Sequence, residues 1–398
     1  MTSKKSEIVI IGGGVVGASV AYHLMERGAR DVVILEREKM LGLGSTGKAT
    51  GGVRAQFETD INIKLSLYSL DFFRDWEFDC EYEPRGYLFL ATEKRHLDYL
   101  ARSGERQREL GYDEVEMVDT KTIADIVPGL NCDDILGGSV GARDGFINPL
   151  AVLEGFATNA SLGGMRVVTG VTVRGIEEEN ARVTGVRTSD GLLECEKVVI
   201  CAGAWSQHIA ATAGIKLPVE PQRRQIVWAR APKPLPPNLP MVIDLTDGFH
   251  FRPARDFNFK APHAETSIFE NHDVLFAYPD PDEPVSFSTE FDEAFLDKVG
   301  GKAAHRAPFL TGAKIVYEKC RAGLYENTPD RHAILGGCDI EGLYFACGFS
   351  GHGVMHSPAT GRALAEIILD GKASFLDVSC LTLDRFAKGQ VLYEAGFI

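Results

Sequence analysis

The chain has 398 residues, of which 44% are hydrophobic and 25% are charged, and its formal net charge is −14. This length predicts two closely packed domains, because one hydrophobic core rarely extends over so many residues. The negative charge argues against nucleic acid as a partner, since phosphates require a concentrated basic surface. It does not exclude a locally positive pocket for an anionic substrate.

The first predicted unit is a strand, a glycine-rich turn, a helix and a second strand. Residues 8–11 are typical of a buried strand, and a helix of about 12 residues follows the glycines and ends near Gly28. Residues 32–35 form the next predicted strand, which ends at Glu36. A strand–helix–strand unit of this length implies that the two strands are parallel.

The glycines of this turn predict a dinucleotide site. Gly12, Gly14 and Gly17 have the spacing G-x-G-x-x-G directly after the strand. They permit a tight turn, close approach of the backbone to a pyrophosphate, and close helix packing. The helix N-terminus attracts the phosphates, and Glu36 is placed to accept hydrogen bonds from ribose hydroxyls. The motif is weak alone, but its flanking strands and Glu36 favour dinucleotide binding.

The N-terminus and the cysteines bear on the compartment. Lys4 and Lys5 precede an apolar stretch at 8–21 that loosely resembles a secretory signal. Cleavage there would remove the glycine motif, so we expect no signal, and no segment has the apolar length of a membrane span. The eight cysteines contain no CxxC pair and no metal-ligand spacing. We expect a cytoplasmic protein with free thiols and no bound metal.

Three later stretches are rich in predicted strands. Residues 167–200 alternate apolar and polar positions and predict an antiparallel meander. Residues 226–228 and 249–252 predict strands of a different sheet. Residues 254–273 are polar and irregular, which is typical of an insertion or a lid over a site.

A second glycine-rich turn near the C-terminus decides between NAD and FAD. The predicted strand at 343–346 leads into the turn at 348–353, and we expect a helix from about Val354 to Leu369. A helix N-terminus there would stabilise the negative charge of a reduced flavin. A nicotinamide enzyme has no need of this second turn, so the sequence favours FAD.

Six ordered motifs resemble those of the FAD-dependent D-amino-acid oxidase superfamily. The similar branch contains sarcosine oxidase, glycine oxidase, dimethylglycine dehydrogenase and the proline dehydrogenase β subunit. The motifs lie at 10–17, 44–54, 144–149, 198–205, 323–330 and 348–353. The resemblance extends to about Lys372 and covers nearly the whole chain.

The resemblance implies an α/β fold with two interleaved domains. One is a Rossmann-like FAD-binding domain of the glutathione-reductase-like, D-amino-acid oxidase type. The other is an α+β substrate domain on a mostly antiparallel sheet. We expect the FAD-binding domain at 1–85, 144–218 and 322–375, the substrate domain at 86–143 and 219–321, and a C-terminal extension at 376–398.

The resemblance also implies which residues contact the cofactor. The flavin half would lie along 45–52, the adenine beside the Val173 backbone, and Ala202 and Gly203 close to the dinucleotide. The full predicted set is Gly12, Gly14, Val15, Val16, Gly17, Glu36, Arg37, Ser45, Thr46, Thr50, Gly51, Gly52, Val173, Ala202, Gly203, Trp205, Gly323, Gly348, Ser350, Gly351, His352, Gly353, Val354 and Met355.

Departures from the family narrow this expectation. Gly323 stands where monomeric sarcosine oxidase carries the cysteine that bonds FAD covalently, so we expect non-covalent FAD. Arg54 keeps the family's carboxylate-binding arginine, whereas Met355 replaces the lysine that assists it. Leu275 stands in the place of the family's oxygen-activating lysine, which favours a dehydrogenase.

The predicted function is oxidation of the C–N bond of a small amine or amino acid. Hydride transfer to flavin would leave an imine that water hydrolyses, and this chemistry depends mostly on positioning. Sarcosine, dimethylglycine, proline, a D-amino acid and a longer N-alkyl amino acid all remain open as substrates. The residues predicted to act on the substrate are Arg54, Tyr325, His352, Met355, His250 and Phe251.

Other interpretations of the same residues remain open. Arg54 could be a structural surface arginine, and His352 or Tyr325 could simply fill space. The protein could also be a non-catalytic FAD-binding assembly factor or an electron-relay subunit of a larger complex. An NAD-dependent dehydrogenase is a third alternative, disfavoured by the second glycine turn. A subunit that accepts electrons and a homo-oligomer are both open as partners.

Overall fold

The computed structural model describes residues 5–255 and 272–394. The strands are β1 (Ile8–Ile11), β2 (Val32–Glu36), β3 (Gly52–Val53), β4 (Tyr87–Ala91), β5 (Val115–Val118), β6 (Gly137–Gly141), β7 (Gly145–Phe146), β8 (Arg166–Thr169), β9 (Val173–Glu179), β10 (Arg182–Thr188), β11 (Gly191–Glu194), β12 (Lys197–Ile200), β13 (Glu220–Arg230), β14 (Met241–Asp244), β15 (His250–Pro253), β16 (Asp273–Ala277), β17 (Lys314–Ile315), β18 (Arg321–Asn327), β19 (Ile334–Gly337) and β20 (Leu343–Cys347). The helices are α1 (Val15–Glu26), α2 (Asp60–Asp75), α3 (Lys94–Glu109), α4 (Thr120–Ile126), α5 (Pro149–Leu162), α6 (Ser206–Ala211), α7 (Phe295–Arg306), α8 (Ser357–Asp370) and α9 (Asp384–Ala387).

A six-stranded sheet carries the first glycine turn. Its strand order is β19-β20-β12-β1-β2-β8, and all pairs are parallel except β19 with β20. Ile8 and Ile10 face the side covered by α1, α5 and α8, whereas Val9 and Ile11 face the opposite side. Because both faces are buried, β1 is a continuous apolar run. The predicted parallel strand–helix–strand unit is confirmed.

The second face of this sheet is covered by a three-stranded antiparallel sheet of β9, β10 and β11. The meander predicted at 167–200 is therefore correct only in its middle. Its two ends, β8 and β12, join the six-stranded sheet as parallel strands. Alternation within a strand indicates which face is buried but carries no information about the pairing partner.

A nine-stranded sheet forms the second layer of the site. Its order is β17-β13-β16-β15-β14-β4-β6-β5, with β18 also paired to β13, and only β14 with β4 is parallel. The predicted mostly antiparallel sheet is confirmed. The resemblance predicts residues 322–327 in the FAD-binding domain. They belong to β18, whose ladder with β13 runs from Glu220 opposite Asn327 to Ile226 opposite Arg321.

A buried carboxylate organises the junction between the two layers. The short strand β3 pairs with β7, and Asp144 lies directly before β7 with no solvent exposure. Its carboxylate accepts hydrogen bonds from the backbone N–H of Ala55, the hydroxyl of Tyr112 and the amide of Gln56, each at 2.8 Å. Burial raises the pKa of Asp144 to about 6. These bonds anchor the segment on either side of Arg54.

Other expectations compare with the structure as follows. Of the insertion at 254–273, residues 256–271 lie outside the described residues, so its role as a lid stays a prediction. None of the eight cysteines forms a disulfide, and four of them are buried. In the part of the chain that the structure describes, no helix has the length and apolar character needed to cross a membrane.

Candidate cofactor and substrate site

A cavity of about 920 Å³ lies between the two large sheets. The six-stranded sheet contributes Gly12 and Cys201, which follow the carboxyl ends of β1 and β12, and the nine-stranded sheet contributes Arg224, His250 and Ala277. Ligands of open α/β sheets bind at the carboxyl ends of the strands. The fold thus places the predicted dinucleotide site at this edge.

The first glycine turn has the close contacts that its motif predicts. A Cβ at Gly12, where φ is 112°, would lie 2.3 Å from the carbonyl oxygen of Cys201. A Cβ at Gly17 would lie 2.1 Å from the Gly12 oxygen, so α1 can pack on its strand only with glycine there. Gly17 does not line the cavity, and its role is this packing.

The N-terminus of α1 is suited to phosphate. Gly14 is its N-cap and offers no capping side chain, and the first turn contains no acidic residue. The hydroxyl of Thr46 accepts a hydrogen bond from the Val15 N–H at 3.1 Å. Gly14, Val15 and Thr46 line the cavity, so the helix end faces the space where an anion would be stabilised.

The far end of the cavity has the features of a nucleoside site. The Glu36 carboxylate accepts hydrogen bonds from the backbone N–H groups of Gly13 and Glu38, both at 2.8 Å, and keeps lone pairs for further donors. The guanidinium of Arg37 lies 4.4 Å from the centroid of the Trp205 ring, and both line the cavity. The residues present therefore fit a ribose and a planar base.

The second glycine turn differs from the prediction in two ways. Helix α8 begins at Ser357, three residues later than predicted, so Val354 and Met355 line the cavity from non-helical backbone. Gly348 and Ser350, which we predicted to bind the cofactor, do not line the cavity. The Ser350 hydroxyl accepts a hydrogen bond from the Thr328 N–H at 3.2 Å. This bond stabilises the turn on the side that faces away from the cavity.

Tyr325 is held against this turn. A Cβ at Gly351 would lie 2.4 Å from the Tyr325 ring, so the ring can approach only because residue 351 is glycine. Both residues line the cavity together with Gly323. Tyr325 is thus a wall of the cavity.

Arg54 projects a guanidinium into the cavity. Its side chain donates to the carbonyl of Gln56 and stacks on Phe57, with 3.7 Å between the guanidinium carbon and the ring centroid. The residue is 8% exposed and forms no ion pair with any described residue. The interpretation of Arg54 as a surface arginine is therefore wrong.

Two histidines line the cavity near Arg54. The Nδ1 atom of His250 lies 2.8 Å from the carbonyl of Gly248, and the His352 ring packs edge-on against Phe57 at 4.9 Å. Burial lowers the pKa of both imidazoles, and the charge of Arg54 lowers it further. Both rings are neutral at neutral pH and can accept a hydrogen bond or a proton.

Two predicted residues lie elsewhere. Phe251 is 1% exposed and packs with Phe249 and Phe276 in the core of the nine-stranded layer, so the prediction that it lines the pocket is wrong. Successive residues of a strand face opposite sides, and only His250 of this pair faces the cavity. Leu275 packs with Trp228 and also does not line the cavity.

The structure adds seven Asp, Glu, Lys or Arg side chains to the cavity wall that the sequence did not single out: Glu38, Lys48, Arg224, Asp247, Asp280, Glu326 and Arg331. The sequence held a signal for Arg224, because it lies two residues before the apolar Ile226 in β13 and therefore faces the same side of the sheet.

Glu326 is a buried carboxyl group of the cavity wall. It accepts hydrogen bonds from the backbone N–H groups of Gly348 and Phe349, and its Oε2 atom has no partner among the described residues. Burial raises the pKa of Glu326 to about 7. The described residues contain no cluster of His, Cys, Asp and Glu that could hold a metal ion.

Comparisons with known proteins agree with this geometry. The family model described as "DAO: FAD dependent oxidoreductase" matches residues 7–367. The chain is 31% identical to FAD-dependent oxidoreductase domain-containing protein 1 of Xenopus laevis, over 99% of this chain and 85% of the relative. It is 27% identical to sarcosine oxidase subunit beta of Rhizobium meliloti, over 98% of this chain and 90% of that protein. The structure of L-proline dehydrogenase from P. horikoshii is similar with a TM-score of 0.87 and 28% identity, over 98% of this chain and 99% of that one.

Proposed function

We propose that this chain, which belongs to the family of FAD-dependent oxidoreductases, oxidises the C–N bond of a small amine or amino acid. The observation that carries the proposal is Arg54, a buried cation that forms no ion pair within residues 5–255 and 272–394 and lines the same cavity as the first glycine turn. A guanidinium in this setting is suited to a substrate carboxylate. Similar proteins named for sarcosine and L-proline support a substrate that is a small amino acid.

Bound FAD supplies a hydride acceptor. The chain's own residues bind and orient the substrate and exclude water. Arg54 holds the carboxylate, while Tyr325 and Met355 border the space in which the amine lies. His250 and His352 are neutral imidazoles, so either can accept a hydrogen bond from the amine of the substrate, which reacts in its neutral form. The imine product is then hydrolysed by water.

Non-covalent binding of FAD is part of the proposal. Gly323 lines the cavity and has no side chain with which to form a bond. The Sγ atom of Cys320, the cysteine nearest to Gly323 in the sequence, lies 3.4 Å from the backbone nitrogen of Trp228, and this residue does not line the cavity. Cys201 does line it, but burial raises the pKa of its thiol and disfavours the reactive thiolate. Denaturation should therefore release all of the flavin into the supernatant.

The test is anaerobic mixing of the purified holoprotein with a panel of primary and secondary amino acids, followed by admission of air. Bleaching of the visible flavin absorbance by one compound class supports amine oxidation, and slow recovery in air supports a dehydrogenase. If no amine bleaches a firmly bound flavin, the proposal is wrong and the non-catalytic flavoprotein becomes the better interpretation. An Arg54→Gln variant that bleaches as fast as the wild type at low substrate would also contradict it.

A further inference from the structure

Three arginines that line the cavity have no ion-pair partner within the described residues: Arg54, Arg224 and Arg331. Arg54 is buried, Arg224 is half-buried and Arg331 is exposed. Acidic side chains line the same cavity, namely Glu36, Glu38, Asp247, Asp280 and Glu326. Burying unpaired cations is costly unless an anion compensates them.

Arg224 is the arginine of this set with an unsatisfied buried hydrogen-bond donor. It lies in β13 with its guanidinium carbon 5.3 Å from the centroid of the Tyr325 ring. It donates to the carbonyl of Arg223 at 3.1 Å and to the side chain of Gln222 at 2.8 Å. Its Nε–H is buried and has no hydrogen-bond partner among the residues that the structure describes. Burial is the main reason that the pKa of Arg224 is lowered.

The carboxylates around Arg224 are already committed to other groups. Asp280 accepts from Lys298 at 2.7 Å, and Glu283 accepts from Arg223 at 2.8 Å. The charges of Asp280 and Glu283 act on Arg224, but neither carboxylate forms an ion pair with it in the part of the chain that the structure describes. A ligand in the cavity can therefore supply a direct partner for the Arg224 guanidinium.

Arg224 and Arg54 act on the same region of the cavity. The Arg224 guanidinium carbon lies 5.3 Å from the centroid of the Tyr325 ring, which contacts Gly351, and Arg54 stacks on Phe57, which packs against the neighbouring His352. Among the described residues, neither arginine forms a hydrogen bond with the first glycine turn or with the N-terminus of α1, where phosphate fits. The anion that Arg224 lacks is thus expected on the substrate side of the site.

We propose, building on the proposed function, that the substrate is an amine with two carboxylates, one bound by Arg54 and the other by Arg224. An amino or imino dicarboxylic acid has this chemistry. Its second carboxylate supplies the direct partner that Arg224 lacks among the described residues, and the exposed Arg331 adds positive charge to the same wall.

The test uses the holoprotein and unreactive probes, so that binding is measured apart from catalysis. Succinate and glutarate are compared with propionate and butyrate through the perturbation of the flavin absorbance spectrum. We expect the wild type to bind a dicarboxylate at least about tenfold more tightly than the monocarboxylate, as one added charge-assisted contact would give. Arg224→Gln should abolish this preference while leaving monocarboxylate binding unchanged.

Arg223→Gln is the matched control. Arg223 is the neighbouring arginine of the same strand, but it pairs with Glu283 and does not line the cavity. Arg223→Gln should keep the preference for dicarboxylates. Arg224→Lys retains a positive charge and should keep part of the preference. Absence of a preference in the wild type, or a preference that survives in Arg224→Gln, overturns the inference. A loss of FAD affinity in Arg224→Gln would assign the arginine to the cofactor and also overturn it.

Loss of the flavin absorbance on mixing with substrates distinguishes a failure of this inference from a failure of the proposed function. Iminodiacetate and N-methylaspartate are compared with sarcosine under anaerobic conditions. If sarcosine bleaches the flavin as efficiently as the dicarboxylates, amine oxidation stands and the inference fails. If no amine bleaches the flavin, the proposed function fails, and the probe series still decides whether Arg224 binds a second carboxylate.

Discussion

At the scale of single residues, Arg54 has the largest predicted effect on substrate binding. Its guanidinium stacks on Phe57, and the residue lines the cavity without an acidic partner among the described residues. Arg54→Gln keeps a hydrogen-bond donor but removes the charge, so KM for an amino acid should rise by about 100-fold. Steady-state kinetics give KM, and a titration of the apoprotein with FAD serves as the control, since cofactor affinity should not change.

Glu326 predicts a dependence of stability on pH. Its folded-state pKa of about 7 lies above the ordinary value of 4.5. The folded apoprotein therefore binds more protons than the unfolded chain between these pH values, and stability falls as the pH rises through them. Glu326→Gln removes this loss and should make the apoprotein more stable than wild type at pH 8 by about 2 kcal/mol.

Urea denaturation at pH 5 and pH 8 measures this difference. The exposed Glu116→Gln on β5 is the control and should change stability equally at both pH values. A difference between wild type and Glu326→Gln that does not grow with pH would show that the Glu326 carboxyl titrates normally.

At the scale of elements, the contact between α1 and β1 is the tightest requirement of the cofactor site. Gly17→Ala places a methyl group where the Gly12 oxygen lies, so the helix must move away from its strand. We expect a loss of stability of about 1–3 kcal/mol and weaker binding of FAD, measured by denaturation and by flavin fluorescence. Gly300→Ala in α7 is the matched control, because its Cβ would meet no atom within 4 Å and alanine favours a helix. Equal behaviour of the two variants would contradict this account.

The strand β18 shows that a sequence motif does not predict which sheet a strand belongs to. The strand of residues 321–327 pairs with β13, although its motif had placed it with the cofactor layer. It contributes Tyr325 and Glu326 to the cavity while it belongs to the opposite sheet. A motif identifies residues that share a site, but sheet membership depends on hydrogen bonds between distant segments.

At the scale of the whole molecule, the cavity between the two sheets couples cofactor binding to stability. A ligand that binds only the folded state stabilises it by about 2.7 kcal/mol when its concentration is 100 times its Kd. FAD should therefore raise the thermal midpoint of the apoprotein in a concentration-dependent manner. NAD at the same concentration should have no effect, and an equal shift with NAD would revive the nicotinamide alternative.

The sequence by itself determined the cofactor class and the parallel unit around the first glycine turn, and it singled out Arg54 as a candidate substrate-binding residue. These are local features, since Gly12, Gly17 and Glu36 lie within one strand–helix–strand unit whose geometry their spacing specifies. The resemblance of six ordered motifs extended this to the family and to a mostly antiparallel second sheet.

Only the tertiary structure decided which side chains meet across the cavity. It placed His250 in the cavity wall and Phe251 in the core. It also showed that Gly348 and Ser350, which were expected to contact the cofactor, do not line the cavity. It also brought Arg224 into the same cavity as Arg54. The reason is physical: periodicity along one strand records which residues share a face, whereas the approach of two distant strands depends on packing that no single segment contains.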